Sequence, residues 1–290
     1  PVEELADQLN KIQRARSASE RLFNLMDVEP EVQDAPDAID IDHVEGRIEF
    51  KNVWFAYEDE NWILKNVSFV IEPGQTCAFV GATGAGKTTI LSLIVRNYEV
   101  QKGQILIDGM DIKRIKIKSL RRLIGQMLQD VFLFSGSIRT NLTLYDEAIT
   151  DGQIEEACRY VNADRFIDKL PEKYEEQVIQ RGENMSQGQR QLLSFARTVL
   201  HHPSILILDE ATANIDTETE TIIQDSLEKM RSIGTMLVVA HRLSTIQHSD
   251  QIIVLQNGEI IERGTHQELL AGRGHYWKLY RLQFEEREAV

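Results

Sequence analysis

The sequence predicts an α/β fold with a mainly parallel sheet, on three observations. Gly81-Ala82-Thr83-Gly84-Ala85-Gly86-Lys87-Thr88 fits the phosphate-binding loop pattern G-x-x-x-x-G-K-[ST] at every fixed position. A second stretch, Ile205-Leu206-Ile207-Leu208, closes on Asp209-Glu210. A third, Leu237-Val238-Val239-Ala240, closes on His241. Short apolar runs of this kind read as strands covered on both faces, which is the habit of parallel sheets.

The loop has the context that its chemistry needs. Apolar Cys77-Ala78-Phe79-Val80 leads into it as a buried strand, and Thr89 to Val95 reads as the start of a helix. Glycines let the backbone curl, so that successive N–H groups turn inward toward phosphate oxygens. The helix N-terminus adds partial positive charge. Lys87 is then placed to reach the β and γ phosphates, and the Thr88 hydroxyl to hold Mg²⁺. An ordinary glycine-rich turn before a helix is the plain alternative.

The totals narrow the class. The chain has 290 residues, a net charge of −14 and 2 cysteines. That length suits one large domain or two small ones. An acidic surface does not favour nucleic acid, whose phosphates call for Lys and Arg. It is compatible with nucleotide binding, where local backbone dipoles act. Cys77 and Cys158 form no metal or redox spacing and read as reduced thiols of a cytosolic protein. No apolar run approaches the ~18 residues of a membrane helix, and there is no signal peptide. The chain opens on Pro1, not Met, and is expected to be a soluble fragment of something longer.

Taken in order, residues 1–28 read as a helix. Leu5, Leu9, Ile12, Ala15, Leu22 and Leu25 fall on one stripe at steps of three and four. Pro30 ends it, and residues 29–46, acidic and carrying Pro30 and Pro36, read as a linker. From Gly46 strands take over: 47–55, then 62–64 and 67–71, with a turn at Pro73-Gly74. Tyr57 follows the first strand, as a half-exposed loop aromatic or as a ring stacked on an adenine base. Residues 103–111 read as a short strand and turn. The stretch 150–200 reads as helical, in pieces separated by Pro171 and Gly182. Ile252 to Leu255, Asn257-Gly258 and Glu259 to Ile261 read as a hairpin, and the tail from His266 as helix to the end.

Two carboxylates at a strand end are, alone, as readily a solvated loop or a helix cap. Beside a phosphate loop they take another meaning. The strand-terminal Asp209 is placed to hold Mg²⁺, and Glu210 to orient or deprotonate the attacking water. His241, at the C-terminal edge of a parallel sheet where ligands gather, is a candidate γ-phosphate contact. A structural histidine is the alternative.

Together and in this order, these elements resemble the nucleotide-binding domain of ATP-binding cassette (ABC) transporters. The family's signature, Leu-Ser-Gly-Gly-Gln in its usual form, is here Met185-Ser186-Gln187-Gly188-Gln189, followed by Arg190-Gln191. The resemblance covers residues 47 to about 285. It implies a P-loop ATPase core with a mainly parallel sheet, an antiparallel β subdomain and a helical signature subdomain at about 130–200. Residues 1–46 would be a helix and linker from a missing membrane domain, and 47–290 the nucleotide-binding domain.

The resemblance also implies roles. Tyr57 would stack on adenine. Gly81, Ala82, Thr83, Gly84, Ala85, Gly86, Lys87, Thr88 and Thr89 would hold the phosphates. Thr88, Gln129 and Asp209 would hold Mg²⁺. Glu210, His241 and Gln129 would be the catalytic and sensing groups, and Ala213-Asn214-Ile215-Asp216 the loop that crosses to the opposite subunit. In this family two domains pair head to tail round two ATPs. Ser186, Gly188 and Gln189 would then meet the nucleotide held by the other subunit.

The exporter branch fits best. Phe134-Ser135-Gly136-Ser137-Ile138-Arg139-Thr140-Asn141-Leu142 resembles its segment after the glutamine loop, and Ser19-Glu20-Arg21-Leu22-Phe23 its extension from the last membrane helix. The implied protein is a half-transporter working at the cytoplasmic face of the cell membrane. Its partners would be a transmembrane domain of the same polypeptide and a second nucleotide-binding domain, identical or not. Gln187 replaces a signature glycine, Met185 replaces Leu, and Val178-Ile179-Gln180-Arg181-Gly182 lacks the glutamate of the usual Val-Gly-Glu-x-Gly. These departures favour a non-identical partner. A soluble ABC ATPase with no membrane role is the alternative, although it usually carries two cassettes or a coiled-coil insert. A non-enzymatic nucleotide sensor is a third reading, and Glu210 with His241 speaks against it.

Overall fold

The computed structural model describes residues 1–127, 131–209, 217–239 and 246–288. They fall into two compact units, Pro1–Gln33 and Asp34–Val290. In the first, α1 (Val2–Met26) carries Glu3 and Glu4 in its first turn, where they oppose the positive end of the helix dipole. Leu9, Ile12, Leu22 and Leu25 of its apolar stripe are exposed.

The second unit is built on two sheets. One is four-stranded and antiparallel, in the order β2-β1-β4-β5. It comprises β1 (Ile48–Ala56), β2 (Trp62–Ile71), β4 (Lys102–Ile107) and β5 (Met110–Asp111). The stretches expected as separate strands at 62–64 and 67–71 are one strand. Asn66 takes φ 53° and the ladder with β1 shifts register, so the polar Lys65-Asn66 pair does not break it. Asp108 fixes the entry to this sheet by accepting from the N–H groups of Glu45, Gly46 and Arg47 at 2.7, 3.1 and 2.8 Å.

The other sheet has six strands in the order β12-β11-β3-β10-β9-β6. Its members are β3 (Thr76–Val80), β6 (Ile124–Met127), β9 (Ile205–Asp209), β10 (Thr235–Val239), β11 (Gln251–Gln256) and β12 (Glu259–Gly264). All adjacent pairs are parallel except β11 with β12, the expected hairpin. Its turn residues Asn257 and Gly258 both have positive φ, as a two-residue hairpin turn demands. β3 and β10 are buried at every position, which explains their unbroken apolar sequence.

One core fills each face of this sheet. Ala78, Val80, Leu206, Leu208 and Val238 face a helical layer. It contains α5 (Asp151–Tyr160), α7 (Gln187–Leu200) and α8 (Thr217–Met230). Cys77, Phe79, Ile205, Ile207, Leu237 and Val239 face α2 (Lys87–Ile94) and the antiparallel sheet. Both cysteines are buried and free, and burial pushes the Cys158 thiol up to about 12.

Two helices have no counterpart in the sequence reading, α3 (Ile117–Arg122) and α8, while α4 (Ile138–Thr143) falls inside the helical subdomain expected at about 130–200. α6 (Asp164–Ile167) lies within the stretch expected to be helical. That stretch also holds β8 (Gln177–Val178), which pairs with β7 (Gly136–Ser137). The tail is two helices, α9 (His266–Gly272) and α10 (His275–Glu288), not one. Arg273 at φ 50° ends the first, and both oxygens of Glu262 accept from the amides of His275 and Tyr276 at the start of the second.

Candidate nucleotide site

The site begins where β3 stops. Gly81-Thr88 turns the chain into α2 with Gly84 at φ 80° and Gly86 at φ 103°, conformations that suit glycine. A Cβ at Gly86 would lie 2.6 Å from Leu64 Cδ2, while one at Gly84 would meet nothing within 4 Å. The outer rim of the loop is therefore open and its inner side is pressed against β2. The first bond of α2 runs from Ile90 N–H to Gly86 O at 3.1 Å. Among the described residues no acceptor meets the amides of Gly86, Lys87 and Thr88, the orphan donors of a helix N-terminus.

Lys87 is buried and folds back over the loop. Its Nζ donates to Gly81 O at 2.8 Å and Ala82 O at 3.0 Å. Burial holds its ammonium below the usual lysine range, and the charge of Asp209 pulls it part of the way back. That coupling places the strand-end carboxylate in the field of the loop cation. Asp209 is paired in register with Val239, which is itself paired with Phe79. Met127, Asp209, Val239 and Val80 thus end four neighbouring parallel strands at one sheet edge. Gln129, Glu210, His241 and the loop Ala213 to Asp216 lie outside the described residues.

Tyr57 sits at the outer side of α2. It is half exposed, and its hydroxyl lies 3.1 Å from Thr89 Oγ1. Its ring is edge-on to Phe55 at 4.9 Å and to Tyr98 at 5.1 Å. Gln101 clamps the residue before it: Nε2 donates to Ala56 O at 2.8 Å, and Oε1 accepts from Ala56 N–H at 3.1 Å. Tyr98 and Gln101 carry no motif, so the sequence offered no signal for either.

The Ser186 turn belongs to another element. Ser186 is the N-cap of α7, its Oγ accepting from Gln189 N–H at 3.2 Å while Gln189 Oε1 accepts from Ser186 N–H at 2.9 Å. This is a capping box. It occupies the Gln189 side chain but leaves the Ser186 hydroxyl hydrogen able to donate, on an exposed residue. Met185 and Gly188 are buried beneath it. Among the described residues no hydrogen bond joins this turn to the Gly81–Thr88 loop.

Residues 64–213 match the ABC transporter family. The chain belongs to that family. It is 44% identical over 286 residues to the ATP-dependent lipid A-core flippase of Syntrophus aciditrophicus, covering 99% of this chain and 47% of that protein. It is 43% identical over 281 residues to a fatty acid ABC transporter ATP-binding/permease protein of Mycobacterium bovis, covering 97% of this chain and 44% of that protein. The solved structure of a bacterial Atm1-family ABC exporter with ATP bound superimposes with a TM-score of 0.86 at 37% identity, covering 94% of this chain and 48% of that one. The α/β architecture expected from the motifs is the one observed. The chain spans about half the length of the relatives it matches. Among the described residues no helix is long and apolar enough to cross a membrane.

Proposed function

We propose that this chain is the ATP-hydrolysing domain of an ABC exporter, and that two such domains close head to tail round two nucleotides. The observation that carries this is the placement at one sheet edge of Lys87, folded over an open glycine loop, and of Asp209, which ends the strand two places from β3. Loop amides and Lys87 would bind the β and γ phosphates, and Tyr57 would stack on the adenine. Thr88 and Asp209 offer hard oxygens, the donor set that suits Mg²⁺, with Gln129 as a further ligand. The metal, when bound, neutralises charge on the phosphates.

In hydrolysis, water attacks the γ-phosphorus, the bond to the β-bridging oxygen breaks, and ADP leaves. Glu210 would take the proton of that water, and His241 would contact the γ-phosphate. Ser186, Gly188 and Gln189 would face the partner's nucleotide, so one chain alone would lack half of each site. The exposed position of the capped Ser186 supports this, since among the described residues its hydroxyl donates no hydrogen bond.

The division of the chain into a leading segment, 1–46, and a nucleotide-binding domain, 47–290 with its helical part at about 130–200, fits this reading. Phe132 and Phe134 are exposed and stacked edge-on at 5.0 Å, a patch suited to a transmembrane domain of the same polypeptide. The exporter would work at the cytoplasmic face of the cell membrane. Glu210→Gln tests the catalytic assignment. Turnover is expected to fall about 10²- to 10⁴-fold while ATP binding persists and an ATP-stabilised dimer accumulates. Turnover equal to that of the unaltered chain refutes it.

A further inference from the structure

α7 is bonded at both ends to segments that are not part of it. At its start, Arg190 Nη1 donates to Met185 O at 2.8 Å and Gly182 O at 3.3 Å, beside the Ser186 cap. In its last turn Arg197 reaches the segment 132–141. Nε donates to Asn141 O at 2.8 Å, Nη1 to Phe132 O at 3.3 Å and Nη2 to Asn141 Oδ1 at 3.3 Å. Asn141, 1% exposed, grips the same segment from the other side. Its Oδ1 accepts from Phe134 N–H at 2.8 Å, and its Nδ2 donates to Phe134 O at 2.8 Å and Ser137 O at 3.1 Å.

Among the described residues every hydrogen-bond acceptor of Arg197 is a neutral oxygen, and no carboxylate pairs with it. Half-buried, the guanidinium gives up part of its hydration for these neutral oxygens, which is costly. The negative end of the α7 dipole offsets only part of that cost. A neutral side chain would hold the segment at less cost, but only a guanidinium presents donors to three acceptors in one plane. The arrangement is that of a bracket.

We infer that Arg197 is a positioning residue that makes Ser186 and the segment 132–141 move as one body. A displacement imposed at Phe132 and Phe134 would then reach Ser186, about 16 Å away along the helix axis. This rests on the reading that Ser186 faces the partner's nucleotide. The phosphate loop and Tyr57 lie on other elements, so loss of the bracket weakens ATP-driven pairing and leaves the phosphate and adenine contacts alone.

The test compares ATPase rate per molecule against protein concentration for the unaltered chain, Ser186→Ala, Arg197→Met and the double variant. Arg197→Met is expected to raise the midpoint concentration about tenfold, with the affinity for a fluorescent ATP analogue and the far-UV circular dichroism unchanged. In the Ser186→Ala background the same change is expected to add no more than about twofold, the non-additivity of one shared path. A full further shift in that background, or no shift in either, overturns the inference while leaving the pairing reading intact. An unchanged midpoint in Ser186→Ala alone overturns the pairing reading, and the inference with it.

Hydrogen exchange on the unaltered chain gives the answer if Arg197→Met does not fold. With Mg–ATP at high protein concentration, amides of 134–141 and of 187–190 are expected to gain protection together. Protection confined to 187–190 overturns the inference.

Discussion

The hydroxyls of Tyr57 and Thr89 lie 3.1 Å apart, joining the aromatic loop after β1 to the first turn of the phosphate-loop helix. With Tyr98 and Phe55 edge-on to it, the Tyr57 ring is fixed in angle before any base arrives. The hydroxyl orients and the ring face binds.

Tyr57→Phe and Tyr57→Ala separate these roles. The Phe variant keeps the stacking face and is expected to bind ATP within about fivefold of the unaltered chain, since one net hydrogen bond is worth ~1 kcal/mol at most here. The Ala variant loses the stack, worth about 1–3 kcal/mol, and is expected to bind about 5- to 100-fold more weakly. Titration with a fluorescent ATP analogue reads both. Equal affinities for the two variants would remove Tyr57 from the site.

Lys87 gives a pH dependence with a defined sign. Burial lowers its folded pKa. The ammonium that attracts phosphate is therefore lost, as pH rises, earlier than in an exposed lysine. ATP affinity is expected to fall on the alkaline side. Stability of the nucleotide-free chain runs the other way, because the unfolded lysine keeps its proton to higher pH than the folded one. Lys87→Met is expected to cost about 1.5–3 kcal/mol of ATP affinity and to flatten the alkaline limb of the binding profile. A limb of unchanged steepness in that variant assigns the titration to another group.

Gly81 and Gly84 are expected to respond differently to alanine. A Cβ at Gly81 would lie 2.3 Å from Leu255 O, which is backbone and cannot swing aside. At Gly84 nothing is within 4 Å, and the cost is the positive φ alone, about 1–2 kcal/mol. Thermal unfolding should therefore place Gly81→Ala lowest. Gly84→Ala should keep its fold and lose ATP affinity, because its methyl group enters the open rim. Equal melting temperatures would show that the loop relaxes round Leu255.

The Ser186–Gln189 pair can be weighed by stability. Gln189→Ala removes one half of a reciprocal cap and is expected to cost about 0.5–2 kcal/mol, read from urea unfolding. No loss of stability would assign the glutamine to ligand contact alone.

What could be read from the sequence was local. The phosphate loop, its flanking strand and helix, the hairpin at Asn257-Gly258 and the apolar run into Asp209 each declare themselves within about ten residues, because turn chemistry and side-chain period act at that range. The helix break at Arg273 did not, since an arginine at φ 50° has no signature. Nor did the supports of the site. Gln101 clamps Ala56 from 45 positions away and Arg197 reaches Asn141 across 56. Such bonds follow from packing, which no window of sequence contains. The Ser186–Gln189 segment drew a ligand role from its family likeness, and its capping role emerged only with the structure.

β3 has a further consequence. Its alternate residues are shared between two separate cores, Ala78 and Val80 with one, Cys77 and Phe79 with the other. The loop that follows inherits its place from both. Slackening in either layer, by heat or by a cavity far from the nucleotide, would misplace the glycines before the chain unravels. Binding would fade first and structure later, so that nucleotide affinity acts as the early gauge of wear in the whole unit.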